Sequence, residues 1–172
     1  MHLDAHADVW ESYYGARYFH GTVFKRAAEE GLVDPAASVQ AGMRGTLYGA
    51  DDELEPGRLG YECIPWEELA GLTPAEYGNR VRARVGDRPA FLSFDIDFVD
   101  PAFAPGTGTP EVGGPSSGQA LAYLRALTGI DFRALDCVEV APAYDPAGIT
   151  SWLAATVCHE MLSLLALRAR DG

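Results

Sequence analysis

The stretch RPAFLSFDID, residues 88–97, decides how the rest of the chain is read. An apolar run, Ala90 to Phe94, ends on two aspartates, Asp95 and Asp97. Such a run reads as a buried β-strand that delivers two carboxylates at its C-terminal end. Working outward, the same arrangement recurs at the start of the chain. There "HL" (2–3) precedes Asp4, His6 and Asp8 at every second position. Further short strands are expected at SVQAGM (38–43), YECIP (61–65) and LDCVEVAP (135–142).

Helices alternate with these strands. In TPAEYGNRVRARVG, Thr73 is placed as the N-cap, Pro74 at the first helical position and Glu76 three residues after the cap, which is a capping box with a helix-starting proline. SSGQALAYLRALTG reads as a helix ended by Gly129, and Thr150 is expected to cap a long terminal helix over 151–170. Strand–helix alternation predicts an α/β fold with a parallel sheet. Ligands bind such sheets at the carboxyl ends of the strands, where Asp4 to Asp8, Asp95 to Asp97 and Glu139 all fall. Two connections rich in glycine, proline and acidic residues, 45–60 and 101–115, read as long loops of the kind that carry function.

The totals narrow the classes. A chain of 172 residues, 48% hydrophobic and 22% charged, is expected to be one globular domain. A net charge of −12 argues against nucleic acid or an anionic membrane as partner, since both require a basic surface. It is compatible with a small cationic substrate and equally with a solubility role. Cys63, Cys137 and Cys158 are odd in number and far apart. They therefore read as buried small residues in a reducing, cytoplasmic compartment rather than as a disulfide scaffold or thiolate zinc site. No leader peptide precedes the first motif and no apolar run of about 18 residues is read, so no membrane span is expected.

The chemistry lies in two motifs. Asp4, His6 and Asp8 alternate, so an extended chain points them one way, spread over roughly 13 Å unless the chain curls. Two carboxylates and an imidazole suit a divalent cation of the manganese, iron or zinc type, although a solvated cluster has the same composition. Asp95 and Asp97 would repel each other if buried without a partner, and a cation resolves that conflict. Asp100-Pro101 reads as turn chemistry. Four carboxylates and one imidazole exceed the need of one ion. Two ions about 3.5–4 Å apart, bridged by carboxylates, would use them and polarise a shared water to hydroxide. The residues thus reach a two-metal hydrolase without naming a substrate.

DAHAD (4–8), FHGTVF (19–24), SFDIDFVDPAFAPGTGTPEVGG (93–114) and VEVAPAYDPAGIT (138–150) resemble, in order, the ureohydrolase (arginase and agmatinase) family. PGTGTPE and EVAPAYD are most similar to its agmatinase and guanidinobutyrase branch. The resemblance implies an arginase-like fold, three-layer αβα around a mostly parallel sheet, and hydrolysis of a guanidino compound, agmatine or a guanidino acid, to urea and an amine. It implies a binuclear Mn²⁺ site in which Asp4 and Asp95 bridge the ions, His6 and Asp97 hold one and Asp8 the other. It also implies a substrate-binding or proton-shuttling role for His20, a guanidinium contact by Glu139, an orienting role toward Glu139 for Thr109, a place in polyamine metabolism, and a homotrimer or homohexamer.

One family feature is not found. An earlier Gly-Gly-Asp-His element, whose histidine completes one metal site, has no counterpart, Gly113-Gly114 being followed by PSS. The chain is therefore expected to be N-terminally incomplete relative to the family, through a start-site error, a fragment, a truncated gene or a split enzyme. A weakly active or non-catalytic metal-binding subunit is the alternative function. His2, roughly 7 Å behind Asp4 on an extended strand, reads as a poor replacement, and His159 as a structural core residue. The distantly related single-zinc deacetylases fit less well, because Asp8 and the PGTGTP loop have no use there.

Overall fold

In the computed structural model, which describes residues 1–171, five parallel strands form one sheet in the order β3-β2-β1-β4-β5. They are β1 (His2–Leu3), β2 (Val39–Ala41), β3 (Glu62–Ile64), β4 (Ala90–Asp95) and β5 (Phe132–Val138). The helices are α1 (Val23–Glu29), α2 (Glu55–Leu59), α3 (Trp66–Leu69), α4 (Pro74–Val85), α5 (Ser117–Arg125) and α6 (Ile149–Asp171).

Adjacent residues of β1 show why the sheet is covered on both sides. Strand neighbours point to opposite faces. Leu3 enters the main core with Val81 and Val85 of α4, Leu124 of α5 and Val157 of α6. His2 points the other way and packs on Phe24 of α1, ring centroids 4.0 Å apart. A second small core of Phe24, Val9 and Tyr61 lies with it. Helices on both faces give the three layers expected from the sequence.

The register stacks the sheet in rows. Cys63, Gln40, His2, Ser93 and Asp136 lie side by side across all five strands. The next row, Ile64, Ala41, Leu3, Phe94 and Cys137, is apolar apart from one thiol. One step further along, Asp4 and Asp95 leave β1 and β4 next to each other. Gly42, at φ +105°, permits this crowding at the end of β2, because a Cβ there would lie 2.4 Å from the Phe98 ring and 2.8 Å from the Asp4 carbonyl oxygen.

The helix starts follow their local signals, with one exception. Thr73 and Glu76 form the reciprocal capping box of α4, with Pro74 at its first turn. Ser116 and Gln119 do the same for α5. α5 ends at Arg125, four residues before Gly129. Thr150 lies inside α6, and its hydroxyl accepts the Gly106 N–H at 2.8 Å. The cap is Asp145, whose carboxylate accepts the N–H groups of Thr150 and Ser151 at 3.1 and 2.9 Å.

Three other expectations are corrected. Residues 45–60 do not stay irregular: a 3₁₀ turn, Asp52–Leu54, runs into α2. The helix α6 does contain a 20-residue window, Ile149–Arg168, long and apolar enough to span a membrane, with mean hydropathy 1.3. Here Leu153, Ala154, Val157, Met161 and Leu164 dock it on the main core. That docking stripe leaves His159 and Cys158 exposed, not in the core.

Candidate active site

Three of the four carboxylates of the strand-end motifs, Asp4, Asp95 and Asp97, are each pinned by a backbone N–H. Asp95 accepts from Asp97 N at 2.9 Å, where the chain tightens into a 3₁₀ turn over Ile96–Phe98. Asp97 accepts from Ala5 N at 3.1 Å, tying β4 to the loop after β1. Asp4 accepts from His6 N at 2.6 Å. The His6 ring then presents Nδ1 to Asp97 Oδ2 at 3.0 Å and to Asp4 Oδ1 at 3.5 Å. Asp4, Asp95 and Asp97 are each at most 4% exposed.

Two groups of side chains converge closely enough to hold a cation, with ligand atoms within 4.8 Å of one another: Asp4, His6 and Asp97, and His2, Asp4 and Asp8. Asp4 is common to both. The electrostatics describe a site built for cations. Burial, reinforced by the Asp97 charge, pushes Asp4 up to about 8. Burial and the Asp4 charge push Asp8 up to about 8. Burial and the charges of Asp4 and Asp97 push Asp95 up to about 11. Burial opposes a charge on His6, yet hydrogen bonds to Asp4 and Asp97 raise it to about 11. Asp97 is likewise disfavoured as an anion by burial, but His6 holds it below the usual carboxylate range. Without a cation, protons must hold this cluster together. Hard carboxylate oxygens plus one imidazole form a donor set that fits manganese-type divalent ions.

His2 stands closer to the cluster than its backbone spacing suggests. Its Nε2 lies 2.6 Å from Asp4 Oδ2, because residues two apart on a strand project to the same face and the chain turns after Leu3. The alternation His2, Asp4, His6, Asp8 was the available signal. Burial depresses His2 to about 4, so it is neutral. A second residue not foreseen is Glu111, whose Oε1 stands 3.6 Å from His6 Nε2.

A cavity of about 610 Å³ opens over the cluster. His6 and Asp8 lie on its floor, with Trp10, Tyr13, His20, Tyr48 and Thr109 around it. His20 is exposed and packs against Phe19 and Tyr13, with centroids 4.5 and 5.5 Å away. Asp52, Glu53, Glu67 and Glu111 line the wall, so the acidic segment 45–60 does face the pocket. Arg44 also borders it. Its guanidinium is committed to the carbonyl oxygens of Gly42, Phe98, Asp97 and Glu111 at 2.8–3.3 Å.

Thr109 and Glu139 are placed differently from the expectation. The Thr109 hydroxyl faces Asp97 Oδ2 at 3.5 Å rather than Glu139. Glu139 stands one residue past β5 at φ +60° and is exposed. It lies outside the strand, which runs from Phe132 to Val138. Its charge is nevertheless felt by Asp95. Asp8, at φ +52°, shares the left-handed conformation, which costs a non-glycine residue about 1–2 kcal/mol. Such strain collects where a side chain must be held in place. Asp100 is a turn anchor, accepting from Ala102, Gly113 and Gly114 N–H groups at 2.7–3.1 Å.

A parallel α/β sheet carrying a carboxylate–imidazole cluster at its strand ends defines the class. The profile described as "Arginase family" matches residues 1–163, and the chain belongs to that family. Among curated relatives, it is 46% identical over 167 residues to the guanidinopropionase of Pseudomonas aeruginosa, covering 96% of this chain and 52% of that protein. It is 44% identical over 165 residues to the guanidinobutyrase of the same organism, with 96% and 52% covered. The structure of proclavaminate amidino hydrolase from Streptomyces clavuligerus superposes with a TM-score of 0.89 at 44% identity, covering 96% of this chain and 54% of that one. The chain spans about half the length of the curated relatives it matches.

Proposed function

We propose that this chain serves the manganese-dependent hydrolysis of a guanidino compound with a cationic tail, agmatine-like, to urea and an amine. The carrying observation is Asp4, buried and shared by two ligand groups whose members His6 and Asp8 lie on the floor of an acid-walled cavity. Asp4 and Asp95 would be common to two ions, with His6 and Asp97 serving one and Asp8 the other. When bound, two such ions supply Lewis acidity and a water activated near neutral pH. The chain's own groups do the rest. Glu139 accepts guanidinium N–H bonds and sets the angle of the planar group. His20, exposed at the cavity edge beside Tyr13, receives or returns a proton as the amine departs. Trp10 and Tyr48, packed on each other with centroids 5.2 Å apart, form an aromatic wall for the alkyl stem.

The tail assignment follows from charge. Asp52, Glu53 and Glu67 suit an ammonium group, and Arg44 is spent on backbone carbonyls, so a substrate carboxylate would find no free guanidinium there. The relatives named for guanidino acids make this a discriminating reading. The three free thiols fit a reducing cytoplasm, and the exposed apolar residues Trp152, Leu162 and Leu167 of α6 fit a homo-oligomer. The test is urea release, with Mn²⁺ supplied, from agmatine and from 4-guanidinobutyrate side by side. Preference for agmatine supports the reading. Preference for the acid overturns the tail assignment, and no urea from either leaves the non-catalytic metal-binding subunit as the better account.

A further inference from the structure

Directly beneath the carboxylate cluster runs the polar row of the sheet, and two of its members are joined to Asp4. Gln40 is fully buried. Its amide nitrogen lies 2.7 Å from the Ala7 carbonyl oxygen and 3.1 Å from His2 Nδ1. A carbonyl oxygen only accepts, so the Gln40 group facing Ala7 is the NH₂. The same NH₂ therefore donates to His2 Nδ1, which must carry a lone pair. With Nδ1 accepting, the ring's proton is on Nε2, 2.6 Å from Asp4 Oδ2. Packing on the Phe24 ring holds the imidazole plane in place. The chain of bonds has one direction: Gln40 donates to His2, and His2 donates to Asp4.

We propose that His2 is a positioning residue that fixes Asp4 for ion binding through its Nε2–H, that Gln40 sets its tautomer, and that His2 is not itself a ligand. The inference rests on the reading of Asp4 as a ligand common to two ions. It separates two roles that proximity alone would merge, because His2 belongs to one of the two cation-sized groups. To ligate through Nε2, the ring would have to move its proton to Nδ1. That would set two N–H groups against each other at Gln40, or turn the Gln40 oxygen toward the Ala7 carbonyl.

The test uses the ¹⁵N-labelled chain and long-range ¹H–¹⁵N spectra of the histidine rings. His2 should show a protonated Nε2 and an unprotonated Nδ1, unchanged when Cd²⁺, a diamagnetic ion of manganese's size, is added. Mn²⁺ titration followed by calorimetry should show affinity falling about 10–100-fold in His2→Ala, the range for loss of an outer-shell partner. His2→Gln, which keeps an N–H near the Nε2 position, should recover most of it. Gln40→Met should leave a folded chain in which the Nδ1–H tautomer becomes populated. An Nε2 that loses its proton to Cd²⁺ makes His2 a ligand and overturns the proposal. An Nδ1–H tautomer in the unsubstituted chain, or unchanged Mn²⁺ affinity in His2→Ala, overturns it equally. If the unsubstituted chain binds no Mn²⁺, the reading of Asp4 fails first, and this role with it.

Discussion

Asp4 and Asp145 are both buried carboxylates, 1% and 8% exposed, yet they are stabilised in opposite ways. At Asp145 burial works against the anion. The N–H groups of Ser151 and Thr150, with the Ser151 hydroxyl, outweigh it and hold the group below the ordinary carboxylate range. At Asp4, burial and a neighbouring anion push the group up to about 8. The His6 ring, the His6 backbone N–H and the His2 ring do not compensate. The contrast shows that burial of a carboxylate does not mark a functional site. What marks it is burial in which the protein's own donors are too few for the charge assembled there. Asp145 is complete as a helix cap, whereas the Asp4, Asp95 and Asp97 cluster buries more carboxylate than the protein's own donors satisfy.

Four experiments can break or sharpen that contrast. The largest effect belongs to Asp95→Ala, which should lose Mn²⁺ affinity by more than the roughly 10–100-fold typical of an outer-shell partner, and urea release with it. Asp100→Ala, which removes only a turn anchor, should keep its metal. Equal metal loss in both, measured by elemental analysis, would contradict the assignment. Metal choice comes next. Four hard carboxylates should favour manganese over zinc, and a chain that retains one tightly held zinc after purification with both ions would break the binuclear reading.

A third effect is the pH dependence of the ion-free chain. Asp4 and Asp8 are raised from 3.8 in the unfolded chain to about 8 in the fold. Their protonated forms therefore contribute stability that is full below pH 4 and is lost as pH rises through about 8. Heating the metal-free chain at pH 5 and at pH 8.5 should show a Tm lower at the higher pH by roughly 4–8 °C, equivalent to about 2 kcal/mol at this length. Excess Mn²⁺ should remove the difference. Asp145 carries the opposite sign. Its depressed folded value gives stability present above the unfolded 3.8 and lost as pH falls through that lower value. Asp145→Ala, the smallest effect, should lower Tm by a few degrees and flatten the acid limb without changing Mn²⁺ content. A loss of metal there would erase the distinction between the two carboxylates.

Much of the site is legible in the sequence because its signals are local. The apolar run before Asp95 and the alternation from Asp4 to Asp8 place five ligand-type side chains at strand ends without tertiary information. The capping boxes of Thr73 and Ser116 are equally local. What sequence hides depends on packing across elements. The contact of His2 with Asp4 is hidden by backbone spacing, because side chains converge where a strand ends and curls. Glu139 stands one residue past the end of β5 in the left-handed region, so its direction is not legible from a strand pattern. Thr150 resembles a cap, but Asp145, five residues upstream, reaches the same N–H groups and displaces it. The acidic wall of the cavity is invisible until α2 folds residues 45–60 over the cluster.

The central claim is that Asp4 is common to two cation sites, and Mn²⁺ stoichiometry tests it most directly. The unsubstituted chain at saturating metal should bind two Mn²⁺ ions, with the exchange-coupled electron paramagnetic resonance signature of a close pair. Asp4→Asn, which keeps the side chain's shape and removes its charge, should lose that signature and weaken both ions together. Two ions that are magnetically independent, or an Asp4→Asn chain that keeps the coupled pair, would contradict the account.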